Sequence, residues 1–352
     1  MARRPIEVNP YTNRAAISEQ CEFYGREDTL RDVYTRIRGG QSVSLIGERR
    51  VGKSSILNAI GFLRDDFGID DLDFVFMDMQ SIAGCPEDAF LRRLLDLISR
   101  ETKIEPGEPT RESMERIATE LRSRNRGLIV AIDEFDVLFQ SNRISAEFLV
   151  FLRSWTVRHK FPMVVAFRDG SLDRIVENEK AGSPFLNVFG TLYIGPMLEE
   201  EAKELIRHPA SVYSVFFDEE DVAAILELAG FLPLYIQIAC YHLFELRRDG
   251  KNLADSRRML NSRFATDAAP HFAYMWGQLP ETEQEALRSW IAEGCAKNET
   301  AEKALLRKGI LVEEQGAIRV FSSVLEHFPP AWDGAPKSFL EAVKDKVITT
   351  RS

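Results

Sequence analysis

Gly47-Glu48-Arg49-Arg50-Val51-Gly52-Lys53-Ser54 matches the pattern G-x-x-x-x-G-K-[ST] at every fixed position. The apolar stretch Ser42–Ile46 precedes it and the helical pattern Lys53–Arg64 follows. That order predicts a strand, a glycine-rich turn and a helix, the context this motif needs. Glycines let such a turn bend until successive backbone N–H groups face phosphate oxygens. Lys53 adds a point charge for the β and γ phosphates, and the start of the helix adds its positive dipole end. The Ser54 hydroxyl suits Mg²⁺, a hard cation that keeps several waters. Gly47 through Ser55 is therefore the candidate phosphate site.

Farther along, Leu128-Ile129-Val130-Ala131-Ile132-Asp133-Glu134 is an apolar strand that ends in adjacent carboxylates. Parallel strands covered on both faces read as continuous apolar runs, and ligands bind at their C-terminal ends. Asp133 is placed to hold Mg²⁺, directly or through water, and Glu134 to orient or deprotonate an attacking water. The plain alternative for the pair is a solvated strand end. Asp136 reads as a cap for the next segment. Arg168 closes the strand Met163–Phe167, where a guanidinium can sense a terminal phosphate. The competing reading pairs it with Asp169 or Asp173. Arg49 and Arg50 stand in reach of phosphates or of a partner's nucleotide, unless they are simply solvated.

Working outward, strands are also expected at Phe74–Asp78 and Leu192–Ile194, with helices at Glu87–Arg100, Arg111–Arg124 and Ala146–Arg158. This alternation predicts an α/β domain with a parallel sheet covered on both sides. After residue 197 the pattern becomes helical: Leu198–Ile206, Glu219–Leu228, Leu234–Leu246 and Leu253–Phe264. Pro280 opens Glu281–Ile291, and Thr300–Lys308 is stopped by Gly309. Ile310–Val312 and Ile318–Phe321 flank a turn and predict a small hairpin. Helix, helix, hairpin is a trimmed winged-helix pattern. The expected domains are an N-terminal segment 1–40, a core 41–197, a helical domain 198–268, a winged-helix-like domain 269–333 and a tail 334–352.

The 352 residues are 45% hydrophobic and 28% charged, which excludes a disordered, collagen-like or integral membrane protein. The formal net charge of −10 removes the global basic field that drives nonspecific nucleic-acid binding. Four scattered cysteines, Cys21, Cys85, Cys240 and Cys295, offer neither metal-site spacing nor a disulfide framework, so a reducing cytoplasm is expected. The basic N-terminus lacks the apolar run of a signal peptide. Ala223–Phe244 is interrupted by Glu227, Gly230 and Pro233 and reads as two buried helices, with no membrane span.

Together these motifs resemble the STAND branch of P-loop ATPases, close to the AAA+ and archaeal-ATPase groups, from about residue 9 to residue 330. Asn9-Pro10-Tyr11 and Phe23-Tyr24-Gly25-Arg26-Glu27 are similar to the family's F-x-G-R-E opening. Gly230-Phe231-Leu232-Pro233 resembles its glycine–proline lid turn, with Phe231 where a second glycine is common. Leu279–Phe328 resembles its winged helix. The resemblance implies a P-loop NTPase with sheet order 5-1-4-3-2, an all-α lid and a winged-helix-like domain. It implies an ATP-operated switch: ADP is held in a closed form, exchange for ATP opens the molecule for oligomerisation, and slow hydrolysis resets it. Tyr24, Gly25 and Arg26 would line the adenine pocket and make 1–40 the adenine-side segment. Pro233 would close over the base, and Arg168 would act as the sensor. A core aromatic and a helix-start proline are the plain readings of Tyr24 and Pro233. His327 is the histidine available for the ADP phosphate that some members contact. Family members carry effector and sensor parts, so a separately encoded partner is expected, unless the chain is a fragment.

The rival reading is a DNA-associated AAA+-type ATPase, similar to archaeal origin-recognition initiators. It needs a basic recognition helix, for which Thr300–Lys308 offers Lys303, Arg307 and Lys308. Residues 270–335 nevertheless hold six Lys/Arg against ten Asp/Glu, so DNA binding is disfavoured. An inactive scaffold would lack a catalytic acid, whereas Glu134 is present. Hydrolysis is expected to be slow, because no arginine finger can be assigned in cis. Arg49, Arg50 and Arg158 are candidates to reach a neighbour's γ-phosphate in an ATP-dependent homo-oligomer. No guanine-reading motif is present, and the preference for ATP rests on the family.

Overall fold

The computed structural model describes residues 8–12, 15–82, 84–140, 144–170, 186–314 and 316–327. The chain divides into two compact units. One comprises Ala16–Glu48 and Gly52–Ile194, and the other Met1–Ala15, Arg49–Val51 and Gly195–Ser352. No helix among the described residues is long and apolar enough to cross a membrane.

The first unit is built on five strands: β1 (Ser42–Gly47), β2 (Leu72–Asp78), β3 (Gly127–Asp133), β4 (Met163–Arg168) and β5 (Phe189–Tyr193). All their pairings are parallel and the order is β2-β3-β4-β1-β5, which is the expected 5-1-4-3-2. β1 is buried along its whole length, as a central strand covered on both faces must be. Helices α1 (Glu27–Arg38), α2 (Lys53–Phe62), α3 (Glu87–Thr102), α4 (Arg111–Ser123), the single turn α5 (Val137–Gln140) and α6 (Ala146–His159) complete the unit. Phe90, Leu94 and Ile98 of α3, Ile117 of α4, and Phe148 and Trp155 of α6 form one core with Val75, Val130 and Val165 of the sheet. α1 had no counterpart in the expected elements. Its Leu30, Val33, Tyr34 and Ile37 form a buried stripe at helical spacing. Tyr34 Oη donates to the Ile60 carbonyl of α2 at 3.0 Å. The edge strand β5 lies three residues earlier than expected at its start, because its half-exposed residues give a weak apolar signal.

The second unit contains α7 (Glu199–Val212), α8 (Glu219–Ala229), α9 (Pro233–Arg248), α10 (Leu253–Gln278), α11 (Glu281–Glu293), α12 (Glu299–Arg307) and the antiparallel pair β6 (Leu311–Glu314) and β7 (Ala317–Val320). The helix expected to stop at Phe264 runs on to Gln278. The 268/269 boundary therefore falls inside a helix. Pro270 removes one helical N–H, yet Ala265, Ala268, Ala269, Phe272 and Trp276 prolong the buried stripe and outweigh that loss. A second proline, Pro209, sits inside α7. Beside it the Tyr11 hydroxyl donates to the Ile206 carbonyl and accepts from Ala210 N–H, so it bridges one turn of the helix. The Tyr11 ring stacks on Phe217 at 6.3 Å, and Asn9 Nδ2 donates to the Tyr241 carbonyl of α9. That is what Asn9-Pro10-Tyr11 does in the fold.

Candidate functional site

The turn between β1 and α2 is shaped as its glycines require. Gly52 has φ +105°, and a Cβ there would meet no atom of the described residues within 4 Å, so among these the backbone stands open on that side. Gly52 is also the N-cap of α2, and no cap side chain takes the first N–H groups of this ten-residue helix. Lys53 is buried, and its Nζ donates to the carbonyl oxygens of Gly47 and Glu48, each at 2.8 Å. Burial pushes the Lys53 pKa down, while Asp133, Glu48, Asp136 and Glu134 act against that shift.

The ladder brings the other candidates to the same edge. Gly47 of β1 lies opposite Arg168 of β4, and Asp169 N–H donates to the Gly47 carbonyl at 3.2 Å. The Ser54 side chain hydrogen-bonds the Asp133 carboxylate, which also accepts from Glu134 N–H at 2.9 Å. Burial pushes the Asp133 carboxyl up, against the pull of Ser54, the Glu134 N–H and Lys53. Glu134 adopts φ +48°, in the left-handed region that costs a non-glycine residue about 1–2 kcal/mol. Its Oε2 accepts from Arg168 Nη2 at 2.9 Å. Arg168 Nε lies 3.8 Å from Asp136 Oδ2. Asp136 is buried, and burial raises its pKa against the Arg168 charge.

The structure adds partners to several of these residues. Arg168 pairs with Glu134 and lies beside Asp136, and Asp173 lies outside the described residues. The Asp136 carboxylate sits in the charged cluster beside Arg168 and is more than a helix cap. The Ser55 hydroxyl accepts from Ile17 N–H at 3.1 Å, and Asn58 Nδ2 donates to the Ile17 carbonyl at 2.9 Å. The Ser55 side chain thus pins the N-terminal segment, leaving its backbone for any phosphate contact. Arg158 pairs with Glu115 at 3.0 Å at the end of α6, which leads into the start of β4. That is the opposite end of the strands from the phosphate loop of the same chain.

The remaining candidates are placed as follows. Arg49, Arg50 and Val51 group with the second unit; the Arg49 guanidinium lies 4.5 Å from the Tyr274 ring centroid, Arg50 has φ +69°, and Val51 is buried. Tyr24 Oη donates to the Cys21 carbonyl at 3.0 Å, and Gly25 and Arg26 have φ near +70° and +64° on the way into α1. Pro233 is the first residue of α9, where its ring suits the helix start. The His327 side chain and residues 334–352 lie outside the described residues. In α12, exposed Lys303 pairs with Glu299 at 2.6 Å, and Lys308 just after it makes a buried pair with Glu283 of α11 at 2.9 Å.

Among the described residues no group of three or more His, Cys, Asp and Glu is gathered as a metal cage. A hydroxyl bonded to a carboxylate at the foot of a phosphate loop instead fits Mg²⁺, which takes few protein ligands and shares phosphate oxygens and water. The Glu134–Arg168 pair was missed in the sequence. The expected strand order contained a signal for it, since β3 and β4 are neighbours and both residues stand at their C-terminal ends.

A parallel sheet in this order, with a glycine-rich loop after its first strand and acids after its third, defines a P-loop NTPase. A family model described as novel STAND NTPase 1 matches residues 13–328, and the chain belongs to that family. No curated protein matches it. Among solved structures it is similar to the Walker-type ATPase PABY2304 of Pyrococcus abyssi, at 16% identity and TM-score 0.63, over 94% of this chain and 99% of that one. It is also similar to the Aeropyrum pernix ORC2 protein in its ADPNP–ADP complexes, at 16% identity and TM-score 0.60, over 97% and 98% of the two chains. At these identities the likeness is one of fold.

Proposed function

We propose that the chain is a Mg-ATP-operated switch with slow hydrolysis, in which the bound nucleotide governs conformation and association. The observation that carries this reading is the meeting of Lys53, the Ser54–Asp133 pair and the Glu134–Arg168 pair at the C-terminal edge of one sheet. Gly47 through Ser55 would cradle the phosphates with backbone N–H groups, and Lys53 would turn its ammonium from loop carbonyls to phosphate oxygens. Ser54 and Asp133 would hold Mg²⁺, which would supply positive charge to offset that of the phosphates. Glu134 would take the proton of the attacking water, and Arg168 would meet the terminal phosphate. Tyr24, Gly25 and Arg26 would line the adenine side, with Pro233 closing over the base. The ADPNP–ADP state of the Aeropyrum protein, which shares the fold, supports adenine nucleotides as the ligand class.

We prefer a switch to the alternative, a DNA-associated AAA+-type ATPase similar to origin-recognition initiators. Lys303 and Lys308, two of the three cations a recognition helix would use, are engaged by Glu299 and Glu283. We read the α11–β7 region as a winged-helix-like packing module. ATP-bound molecules would self-associate or meet a separately encoded effector or sensor.

Glu134→Gln is the direct test. It should retain ATP while turnover falls by about 10²–10⁴-fold, the usual contribution of a positioned general base. Light scattering of this variant with ATP and Mg²⁺ should show growth in size. A persistent monomer would refute self-association. Normal turnover would refute Glu134 as the base, and turnover that appears only on adding DNA would favour the initiator-like alternative.

A further inference from the structure

Arg168 has two kinds of anion within reach of its place in the fold. Its ladder position opposite Gly47 sets it flush with the start of the phosphate loop. Its side chain is nevertheless turned along the sheet edge, with Nη2 on Glu134 at 2.9 Å and Nε beside Asp136 at 3.8 Å. Asp136 is anchored in the protein, buried in the turn that opens α5, so it fixes one side of the guanidinium. Glu134 is the outer partner, carried on a left-handed residue that bonds back to Asp133 Oδ1. A planar guanidinium held on one side and paired on the other can exchange its second partner at little cost, provided that the newcomer is an oxyanion of equal or greater charge.

The geometry points to Arg168 as a positioning residue for Glu134: it ties up the carboxylate until a terminal phosphate competes for the guanidinium. This inference rests on the reading of the edge as an ATP site. On ADP the Arg168–Glu134 pair persists and the base is occupied. With a triphosphate the guanidinium moves to the γ-phosphate, stays neutralised on its Asp136 side, and leaves Glu134 to take a proton from water. One residue thereby couples recognition of the third phosphate to the freeing of the base. Part of the binding energy of that phosphate is spent on breaking the pair, so the chain prefers triphosphate over diphosphate less than it otherwise would.

The test is a double-mutant cycle read in binding, which separates the pair from plain charge repulsion. Affinities for ADP and for a non-hydrolysable ATP analogue, each with Mg²⁺, are measured for the full chain. The same is done for Glu134→Gln, Arg168→Ala and the double variant. Glu134→Gln should raise the analogue-to-ADP affinity ratio about tenfold, within the usual range of coupling between sites. The same change in the Arg168→Ala background should move that ratio by less than about twofold. Arg168→Lys, which keeps a cation but loses the fork, should give an intermediate coupling, and it carries the cycle if Arg168→Ala does not fold. Equal effects of Glu134→Gln in both backgrounds would overturn the inference, as would no effect in either. A wild-type chain that binds neither nucleotide would fail at the prior step and remove the site itself.

Discussion

Both units bury charge, but they balance it differently. In the helical unit Lys308 meets Glu283 at 2.9 Å with both side chains almost wholly covered, and Arg247 meets Asp221 at 2.6 Å beneath the start of α8. Each of these two cations faces a carboxylate, and Arg247 also lies 3.4 Å from Asp218, as buried charges need partners to repay their desolvation. At the sheet edge two cations, Lys53 and Arg168, share Asp133, Glu134 and Asp136. Burial pushes both Asp133 and Asp136 up and Lys53 down. Ion pairs inside the helical unit hold its fold; acids and cations gathered beside an open glycine-rich loop suit a ligand that carries phosphates and a divalent cation.

Three changes test this contrast, in falling order of effect. Glu283→Ala would strand Lys308 in the helical unit and should cost about 3–5 kcal/mol of stability in denaturant unfolding. Nucleotide affinity of the variant, measured while it is still folded, should be unchanged; a selective loss of ATP binding would mean that the pair serves the site. Asp133→Asn should leave stability nearly intact and remove the Mg²⁺-dependent part of ATP affinity, about tenfold or more, in titrations with and without the metal. The sign with pH follows from burial. A raised Asp133 pKa lets protons compete with Mg²⁺ at a higher pH than at an ordinary aspartate, so the metal-dependent affinity should fall early on acidification. Asp133→Asn should abolish that pH dependence, and a dependence that survives would place the titrating group elsewhere. Smallest of all, Lys303→Ala removes an exposed pair with Glu299 and should change stability by less than about 1 kcal/mol. A large loss of DNA affinity instead would reinstate α12 as a recognition helix.

The sheet unit was readable because its signals are local. Gly47–Ser54 specifies a strand, a turn and a helix within a dozen residues, and β3 announces itself as five apolar residues, Leu128–Ile132, that end in acid. What escaped depends on contacts made elsewhere in the chain. α10 passes Pro270 because Phe272 and Trp276 find a core, and local propensity argues the other way. Tyr11 reads as an aromatic beside a proline, yet its hydroxyl repairs a helix some 200 residues away. Ser55 looks like part of the phosphate motif, and only the fold shows Ile17 against it. Arg168 and Glu134 were each singled out, but their pairing follows from strand neighbours, a tertiary fact that neither motif contains.

At the proposed site, binding of adenine nucleotide at this sheet edge should depend on Lys53. Isothermal titration of ADP and of a non-hydrolysable ATP analogue, with Mg²⁺, into the wild-type chain and Lys53→Ala tests that most directly. The account predicts saturable binding by the wild type, and a loss of at least about 100-fold, about 2.7 kcal/mol, in a variant that unfolds at a similar denaturant midpoint. Equal binding by both proteins, or none by the wild type, would contradict it.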